Sequence, residues 1–387
     1  MGKEKKIIRW NATILEIALF LLVLINEIPR IYIFSDMNSL LKMFNLLQLP
    51  LYGIIVYCII TQKMEQKQFI MFVILAIILL FGYLKSGQAA FFRGLLLIFA
   101  FRNFPYKSIL HCCRLAVSSV FFMSIVLWAI GISDAGILRR GKIAVGYVHP
   151  NIAAQVIMII SMLYVAEKDE ELKWYNYVII EIIAIITFII TGSKNATIVL
   201  MVMPFVIQGI KMYLNKFVVG KIFKFLSEFS QSIIMFCTYL FTKILKNSLL
   251  LKKLDLIFTN RLFLNYYLVK HHQITLFGQV VELQDNSGTI YNDIQHVAGA
   301  IITCDCSYIF SLLVMGVIPT LVWMIGYIIL MKKAIANKNY MIIALAILLA
   351  MYSFAETQML EIYNNFVYFY ILASCGSRNQ YSLNRGE

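Results

Sequence analysis

The chain has 387 residues, 61% of them hydrophobic and 14% charged, with a mean hydropathy of +0.79. Soluble domains carry about 25% charged residues, so this composition leaves little room for a soluble domain and indicates an all-α, polytopic integral membrane protein, with 1–387 as one membrane domain. The net charge of +14 would suit nucleic acid, but much of it sits in short loops between apolar runs, where membrane orientation accounts for it; no nucleic acid is expected.

In chain order, the basic opening MGKEKKIIRW runs into a full-length apolar stretch without a small-residue cleavage site, so no cleavable signal is expected. A span needs about 20 mostly apolar residues, and about twelve can be read: 12–27, 43–62, 69–85, 88–101, 109–131, 152–166, 176–191, 196–213, 226–245, 307–330, 340–355 and 363–375. One set of loops holds Lys63 and Lys67, Arg102 and Lys107, Lys168 and Lys173, Lys211 to Lys224, Lys332 to Lys338, and Arg378 and Arg385. With Lys3, Lys5, Lys6 and Arg9 at the start, the positive-inside rule makes that set and both termini cytoplasmic.

The opposite, outer side carries a first loop at 132–151 and a large loop at 246–306. Both are basic against the orientation bias. Arg139, Arg140 and Lys142 lie in the first; Lys246, Lys252, Lys253, Arg261 and Lys270 lie in the second, with His271, His272 and His296. An anionic ligand on the outer face accounts for that charge. Snorkelling to headgroups is the competing account, and the stronger one for Lys246, Lys252 and Lys253.

Four short stretches carry possible chemistry. In GYVHPN, Gly146 to Asn151, Pro150 suits the first turn of a helix and Asn151 can help cap it, which puts His149 at an aqueous rim. A bare helix start is the alternative reading. TGSK, Thr191 to Lys194, is a tight turn between spans that leaves Lys194 at the interface. In FTNRLFLNYYLVKHHQITLFG the apolar positions recur at helical spacing, so an interfacial helix can hold Arg261, the side chain suited to bidentate phosphate contacts. Asp305, Ser307 and Tyr308 close the large loop at the mouth of the next span. No metal site and no cofactor is expected: the seven cysteines lack paired CxxC spacing, and Walker A, GxGxxG and HExxH patterns are absent.

Taken in order, KIAVGYVHPN (142–151), TGSK (191–194), Asn260-Arg261 with LFG (276–278), and DCSYIFSLLVMGVIP (305–319) resemble the motifs of the O-antigen ligase and polymerase superfamily, nearest to Wzy-type polymerases of capsule and exopolysaccharide repeat units. The ordered set covers 139–319, about half the chain. Lys142 and Lys194 stand where the family has Arg, and Cys306 where it has Asn; Lys keeps the charge but loses the guanidinium fork.

The resemblance implies a GT-C-like arrangement whose large outer loop contains short helices, in the cytoplasmic (inner) membrane of a bacterium. It also implies metal-independent, inverting transfer from a glycan on undecaprenyl pyrophosphate, with a chain-length regulator and a flippase as partners. Arg261 then stabilises the departing pyrophosphate with Arg139, Arg140 or Lys142. Either His149 or Asp305 orients the acceptor hydroxyl. Asn151, Lys194, Lys270, His271, His272 and Tyr308 are further substrate-contact candidates. A ligase of the same superfamily is the nearest alternative. A lipid-linked oligosaccharide flippase is another, kept open by Arg93, Arg114 and Glu181 in or near spans.

Overall fold

The computed structural model describes residues 2–35, 37–133, 141–214, 217–244, 248–249, 251, 253, 255, 261–281 and 304–374. Among them the architecture is all-helical, and the only extended pairings are the isolated bridges Ile31–Tyr147 and Pro105–Ser374. The main helices are α1 (Gly2–Glu27), α2 (Asn38–Thr61), α3 (Gln66–Ser86), α4 (Ala90–Ala100), α5 (Tyr106–Ala129), α6 (Pro150–Lys168) and α7 (Trp174–Thr191). They continue with α8 (Lys194–Tyr213), α9 (Phe217–Glu228), α10 (Ser230–Ile244), α11 (Arg261–His271), α12 (Val317–Ala336) and α13 (Tyr340–Tyr352).

Among the described residues, eight helices are long and apolar enough to cross a bilayer: α1, whose apolar part runs over Ala12–Arg30, then α2, α3, α5, α6, α7, α8 and α12. This is a multi-pass membrane protein. The other expected spans take different forms. α4 has 11 residues, about 16 Å at 1.5 Å per residue, roughly half the hydrocarbon core. The 226–245 stretch is divided between α9 and α10. The 307–330 stretch opens as a short helix, passes through a π turn at Ser311–Met315 and breaks at Gly316 before α12.

The last expected span, 363–375, is not an α-helix. After α13 the chain runs through 3-10 stretches at Thr357–Leu360 and Phe366–Ile371 and reaches α5 at Ser374, whose O accepts from Tyr106 N at 3.1 Å. The 3-10 rise of about 2.0 Å per residue stretches a short segment further than an α-helix would. Lys333 Nζ donates to Ile371 O (3.2 Å) and Ala373 O (2.7 Å), satisfying carbonyls at that end.

α13 is buried on nearly every side, packed among α6, α8, α10 and α12. That is the environment of a helix apolar all round. α2, α3 and α7 instead expose residues such as Ile60, Leu84 and Ile189, an apolar outer surface suited to lipid.

The bundle has two distinct ends. At one, Arg102 donates to the carbonyls of Phe99, Gln62 and Lys63, and Arg114 and His111 hold Glu167 near the end of α6. The other end gathers Arg30, the 141–149 loop, the Gly192 turn, Arg261, Asp305 and Glu356, through the contacts described next.

Candidate functional site

The 141–149 loop is a strap between α1 and the α7–α8 turn. Tyr32 N donates to Gly146 O (2.8 Å) and Val148 N to Arg30 O (3.0 Å), which fix it to the end of α1. Ile143 N donates to Ile190 O (2.9 Å) and Lys142 Nζ to Gly192 O (3.1 Å), which fix it to the TGSK turn. Two motifs fifty residues apart therefore meet. The Lys142 ammonium is engaged with a carbonyl at the end of α7, where a cation is also favoured by the helix dipole.

His149 is the N-cap of α6, and Pro150 follows at the first helical position. The capping contact runs from Asn151 N to His149 Nδ1 at 3.1 Å, so the imidazole caps the helix and Asn151 supplies the donor. His149 is exposed at the rim, yet desolvation by the surrounding protein holds its pKa below its usual value; Lys142 and Arg261 push it the same way, and Asp305 opposes them.

Arg261 opens α11. Asp255 accepts from Leu262 N (2.7 Å) and Phe263 N (3.0 Å), so a carboxylate satisfies the first free amides of that helix. Arg261 is only 6% exposed. Its Nη2 lies 3.4 Å from Glu356 Oε1 and its Nη1 3.7 Å from Asp305 Oδ2. Charge-assisted pairs close at about 2.7–2.9 Å, so both are loose. Nε and Nη1 of Arg261 are buried and have no hydrogen-bond partner among the described residues.

The two carboxylates are placed by one backbone junction. Ser307 N donates to Ser353 O (2.9 Å) and Ser307 Oγ to Glu356 O (2.6 Å). Burial raises the Glu356 carboxyl to about 7, with Asp305 adding to the rise and Arg261 and Arg30 resisting it. Despite burial, the Arg261 guanidinium is pushed up by Glu356 and Asp305.

A second ion pair supports the first. Arg30 Nη1 donates to both oxygens of Glu27 (2.9 and 2.8 Å), and its Nη2 to Gln155 Oε1 (3.0 Å) on the second turn of α6. Further along, Arg93 pairs with Glu361 at 2.5 Å and reaches Gln48 at 3.2 Å. Beside that pair an apolar cavity of about 250 Å³ lies among α3, α4, α12 and the 3-10 segment, lined by Leu79, Phe91, Gly94, Trp323, Gly326 and Leu360. None of the site residues expected from the sequence lines it.

The structure thus brings Lys142, His149, Arg261 and Asp305 into one electrostatic neighbourhood. Other expected residues lie elsewhere. Lys194, Lys270 and His271 are exposed; the His271 ring lies against Tyr267 with centroids 4.0 Å apart, its Nδ1 2.8 Å from Tyr267 O, and His272 follows it at the end of α11, half-buried. Tyr308, expected at the substrate, is a core side chain whose hydroxyl donates to Ala350 O at 2.5 Å. Arg139, Arg140, Lys246, Lys252, Asn260 and His296 lie outside the described residues.

Sequence reasoning missed Glu356, the Arg30–Glu27–Gln155 group and Glu361. The signal was there, since carboxylates beside apolar runs are costly unless paired. Glu27, Glu356 and Glu361 fell at the margins of the expected spans and so escaped that test.

No family model matches this chain, and no curated protein and no solved structure matches it.

Proposed function

We propose that this protein is a polysaccharide polymerase. It joins undecaprenyl-pyrophosphate-linked oligosaccharide repeat units on the outer face of a bacterial cytoplasmic membrane, by inverting, metal-independent glycosyl transfer. The observation that carries the reading is Arg261: a buried guanidinium whose Nε and Nη1 have no hydrogen-bond partner among the described residues, held loosely between Asp305 and Glu356, at the same end of the bundle as His149 and Lys142.

An acceptor hydroxyl attacks the anomeric carbon from the face opposite the leaving group, and the lipid pyrophosphate departs. The Nη1 and Nε of Arg261 meet the charge that grows on the departing phosphate, from a guanidinium buried away from bulk solvent. His149 and Asp305 position the acceptor hydroxyl. The apolar cavity beside α4 suits the hydrocarbon chain of the donor. In this reading the chain crosses the membrane about twelve times in a GT-C-like arrangement, counting α4, α9–α10, α13 and the 3-10 segment as shortened or broken crossings, with both termini cytoplasmic. A chain-length regulator and a flippase are its partners. A ligase would use the same chemistry on a different acceptor.

The test is a purified preparation in nanodiscs, given a lipid-pyrophosphate-linked repeat unit with chelator and no nucleotide. A glycan ladder is expected; a single transfer to a foreign acceptor would indicate the ligase. One observation favours a transporter as the second reading: Glu181 Oε1, on the spanning helix α7, is buried and has no hydrogen-bond partner among the described residues. Movement of intact repeat unit between leaflets, without a ladder, would establish that reading instead.

A further inference from the structure

We infer that the Glu356 carboxylate receives the proton of the attacking acceptor hydroxyl, and that His149 serves the substrate as a hydrogen-bond donor. This rests on the glycosyl-transfer reading above and deepens it. The first argument is the tautomer of His149. Its Nδ1 accepts from Asn151 N at 3.1 Å, so the lone pair at that nitrogen is in use. A neutral imidazole carries one N–H, which must then sit on Nε2. That nitrogen donates; it takes a proton only if the ring changes tautomer and the α6 cap is lost.

The second argument is charge. One guanidinium faces two carboxylates, Asp305 at 3.7 Å and Glu356 at 3.4 Å. The neighbouring Arg30 is already engaged by both oxygens of Glu27. The groups that act on Glu356 are Arg261 from α11, Asp305 from the segment before Ser307, and Arg30 from the end of α1; Tyr352, one turn earlier on α13, senses its charge in turn. Among the described residues these two close carboxylates face a single cation not already engaged, which favours a proton on one of them. Glu356 is the more enclosed, with its side chain 17% exposed against 25% for Asp305. Burial places it where a base at neutral pH works best, at about 7. The third argument is fixity, because Ser307 ties the Glu356 carbonyl at 2.6 Å to the strand of chain that carries Asp305.

The step balances as follows. The acceptor oxygen forms its bond to the anomeric carbon as its proton passes to a Glu356 oxygen. The bond from that carbon to the phosphate oxygen breaks, and the lipid pyrophosphate leaves with the electron pair, facing Arg261. The Glu356 carboxylic acid then returns its proton to water at the open end of the bundle.

The experiment compares wild type, Glu356→Gln and Glu356→Asp in nanodiscs, measuring turnover across pH 5–9 and, separately, binding of the lipid-linked donor. In wild type, turnover rises with pH through about 7 as the base ionises. Glu356→Gln is expected to lower kcat by ~10²-fold or more, to keep donor binding, and to lose the pH dependence. Glu356→Asp, which keeps the charge and serves where the amide variant does not fold, is expected to keep reduced turnover with a displaced pH midpoint. Wild-type turnover in Glu356→Gln, or an unshifted pH profile in Glu356→Asp, would overturn the inference, as would loss of donor binding in step with activity. A wild type that makes no ladder removes the polymerase reading, and this inference with it.

Discussion

Arg261 is buried, yet neither of its ion pairs among the described residues is tight, and that combination decides what the side chain can do. A structural arginine at 6% exposure would be expected to close on its partners, because an unmet buried donor costs about 1–3 kcal/mol. Among the described residues two of its nitrogens have no hydrogen-bond partner, and in the proposed reaction they meet phosphate oxygens. Arg261→Ala is expected to abolish polymer while membrane protein level is retained, measured as ladder intensity against immunoblot; wild-type ladder would remove Arg261 from the site. Arg261→Lys is expected to retain little of the activity, because one ammonium cannot replace donors spread over a fork. His149 makes a different prediction. Its pKa lies below the usual 6.5 or so, so it is already neutral at pH 7. His149 should therefore add no pH dependence between pH 7 and 9, where the rise through about 7 belongs to Glu356, and should lower activity further only in acid, as the ring charges. A His149→Asn variant keeps a side-chain cap, and is expected to lower turnover with α6 intact by circular dichroism.

At the scale of elements, the break in the chain before α12 is an interlock. Gly278 (φ +88) and Gly316 (φ +93) meet backbone to backbone, and a Cβ on either would strike the other segment's main chain. Val317 N donates to Thr275 O (3.0 Å), Ile318 N to Leu276 O (2.9 Å) and Gln279 N to Val314 O (3.0 Å), while Phe277 meets Phe81 of α3 edge-on at 4.7 Å. The LFG turn and the internal glycine of the next span, which stood out in the sequence as separate motifs, are two halves of one contact. Gly316→Ala is expected to lower the folded yield sharply, by size-exclusion profile, since its φ +93, ψ 168 backbone lies in a region essentially confined to glycine and costs about 1–3 kcal/mol before the clash is counted. The Arg93–Glu361 pair, at 2.5 Å, tests another element, the 3-10 segment after α13. Arg93→Leu is expected to destabilise by about 3–5 kcal/mol, because it leaves a carboxylate without its counter-charge in an apolar setting. The double change Arg93→Leu/Glu361→Leu should recover much of the loss. Equal melting temperatures for the single and double variants would show that the charge is not what anchors the segment.

For the whole molecule, the basic loops set the expected orientation and the packing joins several of them at one end. Arg102 caps carbonyls beside Lys63, and Lys333 holds the carbonyls of Ile371 and Ala373. Arg261, Asp305 and Glu356 belong to the other end. Cysteine accessibility checks which end faces out. Lys194 and Lys338 are both exposed, and the six described cysteines are buried or half-buried. An impermeant maleimide added to intact cells is expected to label Lys194→Cys and to leave Lys338→Cys unlabelled. The reverse pattern would put the Arg261 cluster in the cytoplasm and end the proposal that it works on the outer face.

Much was legible in the residues alone. Continuous apolar runs had to become helices in a bilayer, because hydrocarbon offers no partner for a free amide or carbonyl, and the long spans follow from that. His149, Arg261, Asp305 and Lys142 also stood out as residue types costly to place without purpose. The sequence could not say which runs would stay continuous. Gly316 interrupts a span where the Gly278 turn fills the break, and the 3-10 segment after α13 runs from Glu361, paired with Arg93, to Ser374 beside Tyr106. Nor could it say which polar groups were free. Tyr308 and Lys142 look alike as candidates in the sequence, yet the fold engages the hydroxyl with Ala350 and the ammonium with Gly192. Nothing local marks Glu356 in the sequence; the fold places it 3.4 Å from Arg261, ninety-five residues earlier. Local chemistry fixed which helices could form; only long-range packing decided which charges would face each other, because burial and partnership belong to the folded chain.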